Sequence, residues 1–353
     1  MSKPPQQRPV RTATGLIPCG IEVSHHTLHV ALGPYAPRSF DNTPAGHQAI
    51  LRAIDQAGGP GRVRVVLEAT GRYSLDLALT LHGARVPVMV ANPRAVRHFA
   101  VALMERSKTD PLDAQVLREY AARMPFQKWQ PPSATALKLV AIARRWGAVT
   151  EMITAEKNRL HAASLSGALS GYVRLEVTRS LQNLQRSVAR LQRAAEALIS
   201  DDAELFERYQ LLRSIPGFGP TSAVHVLAEL SLLAPDLDIR QWVATAGLDP
   251  RHCDSGTSVH RPARISKLGN AHLRHALYMP ALVAIQHQPH LRGFYLHLLE
   301  RGKAKMQAVV AVMRKLLHAI YGMFHHHQTF DGSKLYALPE TTSAALEPAV
   351  ACA

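Results

Sequence analysis

A chain of 353 residues is long enough for two or three domains with a sizeable core. Its 41 Lys and Arg against 26 Asp and Glu leave a formal charge of +15, an excess that selects a polyanionic partner, nucleic acid or an anionic lipid surface. No apolar run approaches the roughly 20 residues of a membrane span, and three scattered cysteines, Cys19, Cys253 and Cys352, match no metal or disulfide spacing and suit a reducing cytoplasm.

Residues 1–14 are rich in proline and basic side chains, lack the apolar centre of a signal peptide, and read as a disordered arm. From residue 15 to about 130 strand and helix signals alternate. "IPCGIEV" and "TLHVAL" are apolar stretches joined by the polar turn "SHH", a predicted hairpin, and "RSFDN" adds a third antiparallel strand. "GHQAILRAIDQA" has helical periodicity, "RVRVVLEAT" is a β-branched strand, "YSLDLALTLHG" a short helix and "VPVMVAN" another strand, followed by two helical segments. Three antiparallel strands and then alternating helices and strands is the order of an RNase H-like α/β domain.

Residues 133–209 read as a helical middle region, without proline from Ser133 to Ile215. Val177, Leu181, Leu184, Val188, Leu191, Ala195 and Leu198 form an a/d seam about three heptads long, suited equally to an intramolecular helical hairpin or to a dimer-forming coiled coil. Gly147, Gly167 and Gly171 are read as breaks or turns before it.

A third, mainly helical region spans 210–330. "LLRSIPGFGPTSAVHVLAEL" resembles a helix-hairpin-helix motif, in which Gly217 and Gly219 would let backbone N–H groups approach a phosphate; an ordinary turn between packed helices is the plainer alternative. The stretch that follows reads as a polar loop carrying Arg251, Arg261, Arg264, Lys267 and Arg274 against Asp254, cationic enough to grip phosphates. Helices resume from His275 to Phe324, "HHH" at 325–327 reads as a solvated cluster, and 331–353 as a flexible tail.

Four acidic residues stand where such a fold would gather them. Glu22 lies in the first strand and Glu68 ends the strand "VVLEATG". Asp110 is placed as a helix N-cap, with Pro111 at the first helical position and Asp113 in the first turn, on the same face. Carboxylates that close repel one another, so the arrangement calls for a cation, and a hard ion with oxygen ligands such as Mg²⁺ (or Mn²⁺) suits it. Taken singly each residue has a plainer use: a cap, a strand end, an arginine partner.

"GIEVSHHTLHVAL", "LEATGRY", "ANPRAVRHFA", "SKTDPLDAQVL", "IPGFGP" and "AGLDPRHCDSGTSVHRPARISKLGNAHLRHALY", in this order, resemble the DEDD transposases of the insertion sequence 110 family, including the 1111 subgroup, over about residues 15–325. The resemblance implies a RuvC-like N-terminal domain whose Mg²⁺-binding tetrad falls on Glu22, Glu68, Asp110 and Asp113. It also implies a C-terminal transposase domain whose nucleophilic serine, in an "SG" motif, falls on Ser255. Glu22 departs from the family's usual aspartate, and Ser258 and Ser266 are nearby hydroxyls that only the "SG" match separates from Ser255. Further implied are donor and target DNA, a structured noncoding guide RNA, a dimer or tetramer whose active site assembles across domains, and a prokaryotic, nucleoid-associated location. A metal-dependent nuclease or junction resolvase using water, and a nucleic-acid-binding protein without catalysis, are the alternative readings.

Overall fold

The computed structural model describes residues 15–68, 71–104, 109–165, 171–255 and 259–338, leaving aside the side chains at 72, 163, 165, 252–255 and 259–263. The expected arm at 1–14 lies outside the described residues, as does the end of the expected tail from 339. The chain divides into two compact units, residues 1–131 and 132–353.

In the first unit, β1 (Ile17–Val23), β2 (Thr27–Leu32) and β3 (Arg38–Asp41) form an antiparallel meander. The Ser24 hydroxyl closes its first turn by donating to the Thr27 carbonyl at 2.9 Å. α1 (Pro44–Gln56) starts on the Thr43 side-chain cap, and β4 (Val63–Glu68), α2 (Arg72–Gly83), β5 (Val88–Ala91), α3 (Pro93–Ala102) and α4 (Asp110–Arg123) follow. β4 pairs parallel with β1 and β5 parallel with β4, giving the five-stranded order β3-β2-β1-β4-β5. This mixed sheet is consistent with an RNase H-like domain.

Because side chains alternate across a strand, the sheet builds two cores. Ile21, Leu28, Val65 and Leu67 pack one face against Ile50 and Ile54 of α1 and Leu77 and Leu81 of α2. Val66 and Ala91 pack the other against Val96 of α3 and Val116, Leu117, Tyr120 and Ala121 of α4. Cys19 is wholly buried in the first core, where burial pushes its thiol pKa up to about 12 and keeps it inert.

In the second unit, α5 (Ala134–Leu165) and α6 (Gly171–Ser200) pack along one another within the chain. Leu181, Ala195 and Ile199 of α6 are buried and Val188 and Leu191 partly so. The seam expected from the heptads therefore faces α5. The expected break at Gly147 does not occur: α5 runs through it, with the His225 ring of α8 at van der Waals distance from where a Cβ would stand.

α7 (Ala203–Arg213), α8 (Pro220–Leu230) and α9 (Ile239–Ala246) precede a two-stranded sheet, β6 (Pro250–Ser255) and β7 (Val259–Ile265). α10 (Ala271–His287), α11 (Pro289–Glu300) and α12 (Lys305–His326) complete the unit around one apolar core. The basic stretch expected as a loop is thus an antiparallel hairpin, with Pro250 opposite Ile265 and Ser255 opposite Val259. Its strand signal, alternation through Val259, Arg261, Ala263 and Ile265, was masked by charge and proline. The tail does not loosen at 331: a short 3-10 turn at Gly332–Lys334 follows, and the Tyr336 carbonyl lies 2.8 Å from His290 Nδ1. Among the described residues no helix is long and apolar enough to cross a membrane.

Candidate functional site

The α4-facing side of the sheet is where the acidic residues fall. Glu22 is two residues from Gly20 on β1, hence on the same face. A Cβ at Gly20 would sit 2.2 Å from both the Ala114 carbonyl oxygen and the Arg118 nitrogen, so α4 lies directly on the β1 backbone. Glu68 shares a face with Val66, which packs on α4. In the parallel pairing Ile21 stands beside Leu67, which sets Glu22 and Glu68 next to each other where both strands end.

The direction of α4 follows from two contacts. Arg118 Nη1 donates to the Gly33 carbonyl at 3.2 Å, and Gly33 in turn bonds Pro18 at the start of β1. At the other end, His29 is the cross-strand partner of Glu22, and its Nε2 lies 3.6 Å from Asp110 Oδ2. The helix therefore runs antiparallel to β1 and brings Asp110 and Asp113, in its first turn, to the level of Glu22. Its N-terminal dipole favours the accumulated negative charge.

One detail differs from expectation. Thr109, not Asp110, occupies the N-cap, in extended backbone without a side-chain cap bond, and Asp110 is the first helical residue. Proline fits the first two helical positions equally well because both lack an intrahelical N–H bond. Asp110 is thereby released from capping, and its side chain reaches His29, a residue the sequence reading did not single out although its strand register places it there.

As donors for a metal, the four residues offer carboxylate oxygens alone, the chemistry of a hard divalent ion. Their backbone positions fit one. Their side chains do not form a closed ligand set: among the described residues no three His, Cys, Asp or Glu side chains are gathered to hold a metal, and Asp110 leans toward His29.

In the second unit, Arg251 and Arg264 stand directly opposite each other on β6 and β7, both exposed. Like charges in a cross-strand pair destabilise a hairpin unless something offsets them. Lys267 is also exposed, whereas Arg274 is half-buried and donates to the Ala246 carbonyl at 3.0 Å. Ser255 ends β6, opposite Val259; its side chain, that of Arg261, and all of Ser258 lie outside the described residues. Ser266 is committed to its turn: its hydroxyl bonds Asp249 Oδ1 at 2.5 Å and accepts the Leu268 N–H at 3.2 Å.

The "PGFG" turn divides its glycines. Gly217 has a φ of 99°, and a Cβ there would lie 2.8 Å from the Pro280 carbonyl, so this glycine answers to packing against α10. Gly219, the N-cap of α8, has open space around its Cα.

A polar network that sequence reasoning missed lies beneath. Glu229 of α8 is buried and takes two bonds from Arg144 of α5, at 2.8 and 2.9 Å, and one from Asn270 at 2.7 Å. Burial alone would raise its pKa, but these bonds hold the carboxyl below its ordinary value. Eighty-five positions separate Arg144 from Glu229, and no local pattern announces such a pair.

Comparison with known proteins adds the context. The family model for transposases of the IS116/IS110/IS902 family matches residues 209–296, and a transposase model for the DEDD enzymes of IS110 elements matches 19–168. The pilin gene-inverting protein of Moraxella bovis is 31% identical over 317 residues, 88% of this chain and 97% of that protein. Its Moraxella lacunata namesake is 31% identical over 270 residues, 76% of this chain and 82% of that protein. An uncharacterized 42 kDa protein of insertion element IS900 from Mycobacterium paratuberculosis is 31% identical over 172 residues, 45% of this chain and 40% of that protein. With both models in chain order and a relative matched over almost its whole length, the chain belongs to the IS110 family of insertion elements and is a DNA transposase or recombinase.

Proposed function

We propose that this recombinase cuts and rejoins DNA through a serine nucleophile, Ser255, assisted by a RuvC-like acidic site built from Glu22, Glu68, Asp110 and Asp113. The observation that supports the reading most is the shared face: strand register and the Gly20 contact put Glu22 and Glu68 side by side under the first turn of α4. Those four residues would hold Mg²⁺ or Mn²⁺, which when bound would offset the charge that develops on a transferring phosphoryl group. Asp110 would have to leave His29 to join the set.

Ser255 is assigned the covalent step. Its Oγ forms a bond to phosphorus as the bond to the leaving sugar oxygen breaks; the serine loses its proton and the sugar hydroxyl gains one, so the phosphodiester energy is kept in a phosphoserine for rejoining. Arg251, Arg264 and Lys267 are assigned to neighbouring phosphates. Ser266 is the weaker nucleophile candidate because its hydroxyl serves the Asp249 turn. The charge of +15 suits a chain that also carries a structured guide RNA, and joining two DNA segments calls for two or more copies.

The test is a covalent one. Wild-type protein incubated with Mg²⁺ and DNA carrying the element's ends is expected to give a protein–DNA adduct that survives denaturation. Ser255→Ala should give none, and Ser266→Ala should retain it. Strand cleavage without any adduct, unchanged in Ser255→Ala, would instead identify a resolvase-like nuclease using water.

A further inference from the structure

A groove of about 850 Å³ lies in the second unit between β7, α10 and the α11–α12 turn. Of its apolar lining Leu248 and Met313 are buried and Ile265, Tyr278, Leu298 and Val310 half-buried, a floor by depth; of its cations Arg264, Lys267 and Lys303 are exposed, a rim, and Arg274 and Arg314 half-buried. Among the described residues that line it, none is acidic. Met306, also on the wall, is 56% exposed, an apolar side chain left in water beside five cations.

We infer that this groove holds a single strand of DNA with its bases out of the stack, their faces on the apolar floor and the flanking phosphates on the basic rim. The inference rests on the chain's being a DNA recombinase and not on Ser255 being the nucleophile. Duplex DNA presents phosphates and base edges and buries the base faces, so it would satisfy the cations and leave the floor wet. A separated strand offers both surfaces at once: a charge at every nucleotide and a π-face between charges. Tyr278 supplies a ring on which a base can stack. An amphipathic protein segment would need acidic groups placed around an apolar wedge at all five positions, which a nucleic-acid strand provides without design.

The groove also has a place in the reaction. Pro250, Arg264 and Ile265, at the base of the β6–β7 hairpin, line it, and Ser255 ends β6 five residues further along. At ~3.3 Å per residue the two are about 17 Å apart. Should Ser255 carry the covalent step, a strand in the groove would be the flank of the reacting phosphate, several nucleotides from it; the groove's fit to an unstacked strand does not depend on that.

The measurement compares the full-length protein's affinity for single-stranded DNA, for an abasic strand of equal length, for duplex, and for RNA of the same sequence, with 2-aminopurine in the DNA strand reporting stacking. The DNA strand is expected to bind at least about tenfold more tightly than the abasic strand, from stacking of one or more bases, with a change in 2-aminopurine emission. Lys303→Ala/Arg314→Ala should weaken both strands and reduce the salt slope by about two. Tyr278→Leu should weaken only the strand that has bases. Equal affinity for strands with and without bases overturns the inference, as does tighter binding of duplex or RNA. Either result would leave the Ser255 adduct test untouched.

Discussion

Gly20 does for the acidic site what no acidic residue does for itself. With a hydrogen where other residues carry a Cβ, it lets the α4 backbone rest on β1, and α4 is the element that carries Asp110 and Asp113 to Glu22. A methyl group at Gly20 would lie 2.2 Å from two backbone atoms of α4, and backbone cannot rotate aside as a side chain can. Gly20→Ala is thus expected to destabilise the first unit by about 1–3 kcal/mol, the usual scale of overpacking, seen as a lower urea midpoint at unchanged m-value. Strand cleavage should fall further than the folded fraction does, because even a sub-ångström shift of α4 moves two of the four carboxylates together. A variant with full cleavage activity and a lowered midpoint would show that the acids tolerate that shift.

Among the elements, those with strong local signals were readable in advance. β1, β2, β4 and β5 announce themselves by β-branched and alternating runs, and the glycine and proline punctuation around α1, α2 and α4 is plain. The places of Glu22, Glu68 and Asp113 in their strands and helix were readable for the same reason, whereas Asp110 came one position further into α4 than the pattern indicated. What stayed hidden was long-range or charge-masked. The β6–β7 hairpin hides its alternation behind arginines, Gly147 resembles a break only until α8 is seen beside it, and Lys303 and Arg314 join Arg264 through tertiary packing alone. The Arg144–Glu229–Asn270 network is the extreme case, tying α5, α8 and the cap of α10 through one buried carboxylate. Its removal can be checked directly. Glu229 is 3% exposed and Arg144 42% exposed, so Arg144→Ala strands the carboxylate while Glu229→Gln leaves a neutral group and an arginine that can turn to water. We expect Arg144→Ala to cost about 3 kcal/mol in denaturant unfolding, the scale of a broken buried pair, and Glu229→Gln distinctly less.

At the scale of the whole molecule, acid acts on a chain that already carries +15 and has 19 histidines still to charge. His47, His225 and His318 have pKa values lowered in the fold, in each case chiefly by burial. The unfolded chain, with ordinary histidines near 6.5, takes up protons that these three refuse, so their contribution is fully present above that pH and is lost as pH falls below it. Glu229 works in the same sense but lower: its depressed pKa contributes above the ordinary carboxylate range and is lost only as pH falls through the folded value. His225 is the most informative of the group because Glu229, His272 and His275 all face it, the first favouring its charged form and the two histidines opposing it. His225→Gln keeps a polar side chain and removes the titration. Melting temperature followed from pH 7.5 to pH 5 should fall in the wild type and fall by less in this variant, with both curves raised by added salt as the excess positive charge is screened. If the two curves fell in parallel and salt alone restored them, general repulsion among the cations would be the cause of acid sensitivity, and the buried imidazole would carry no share of it.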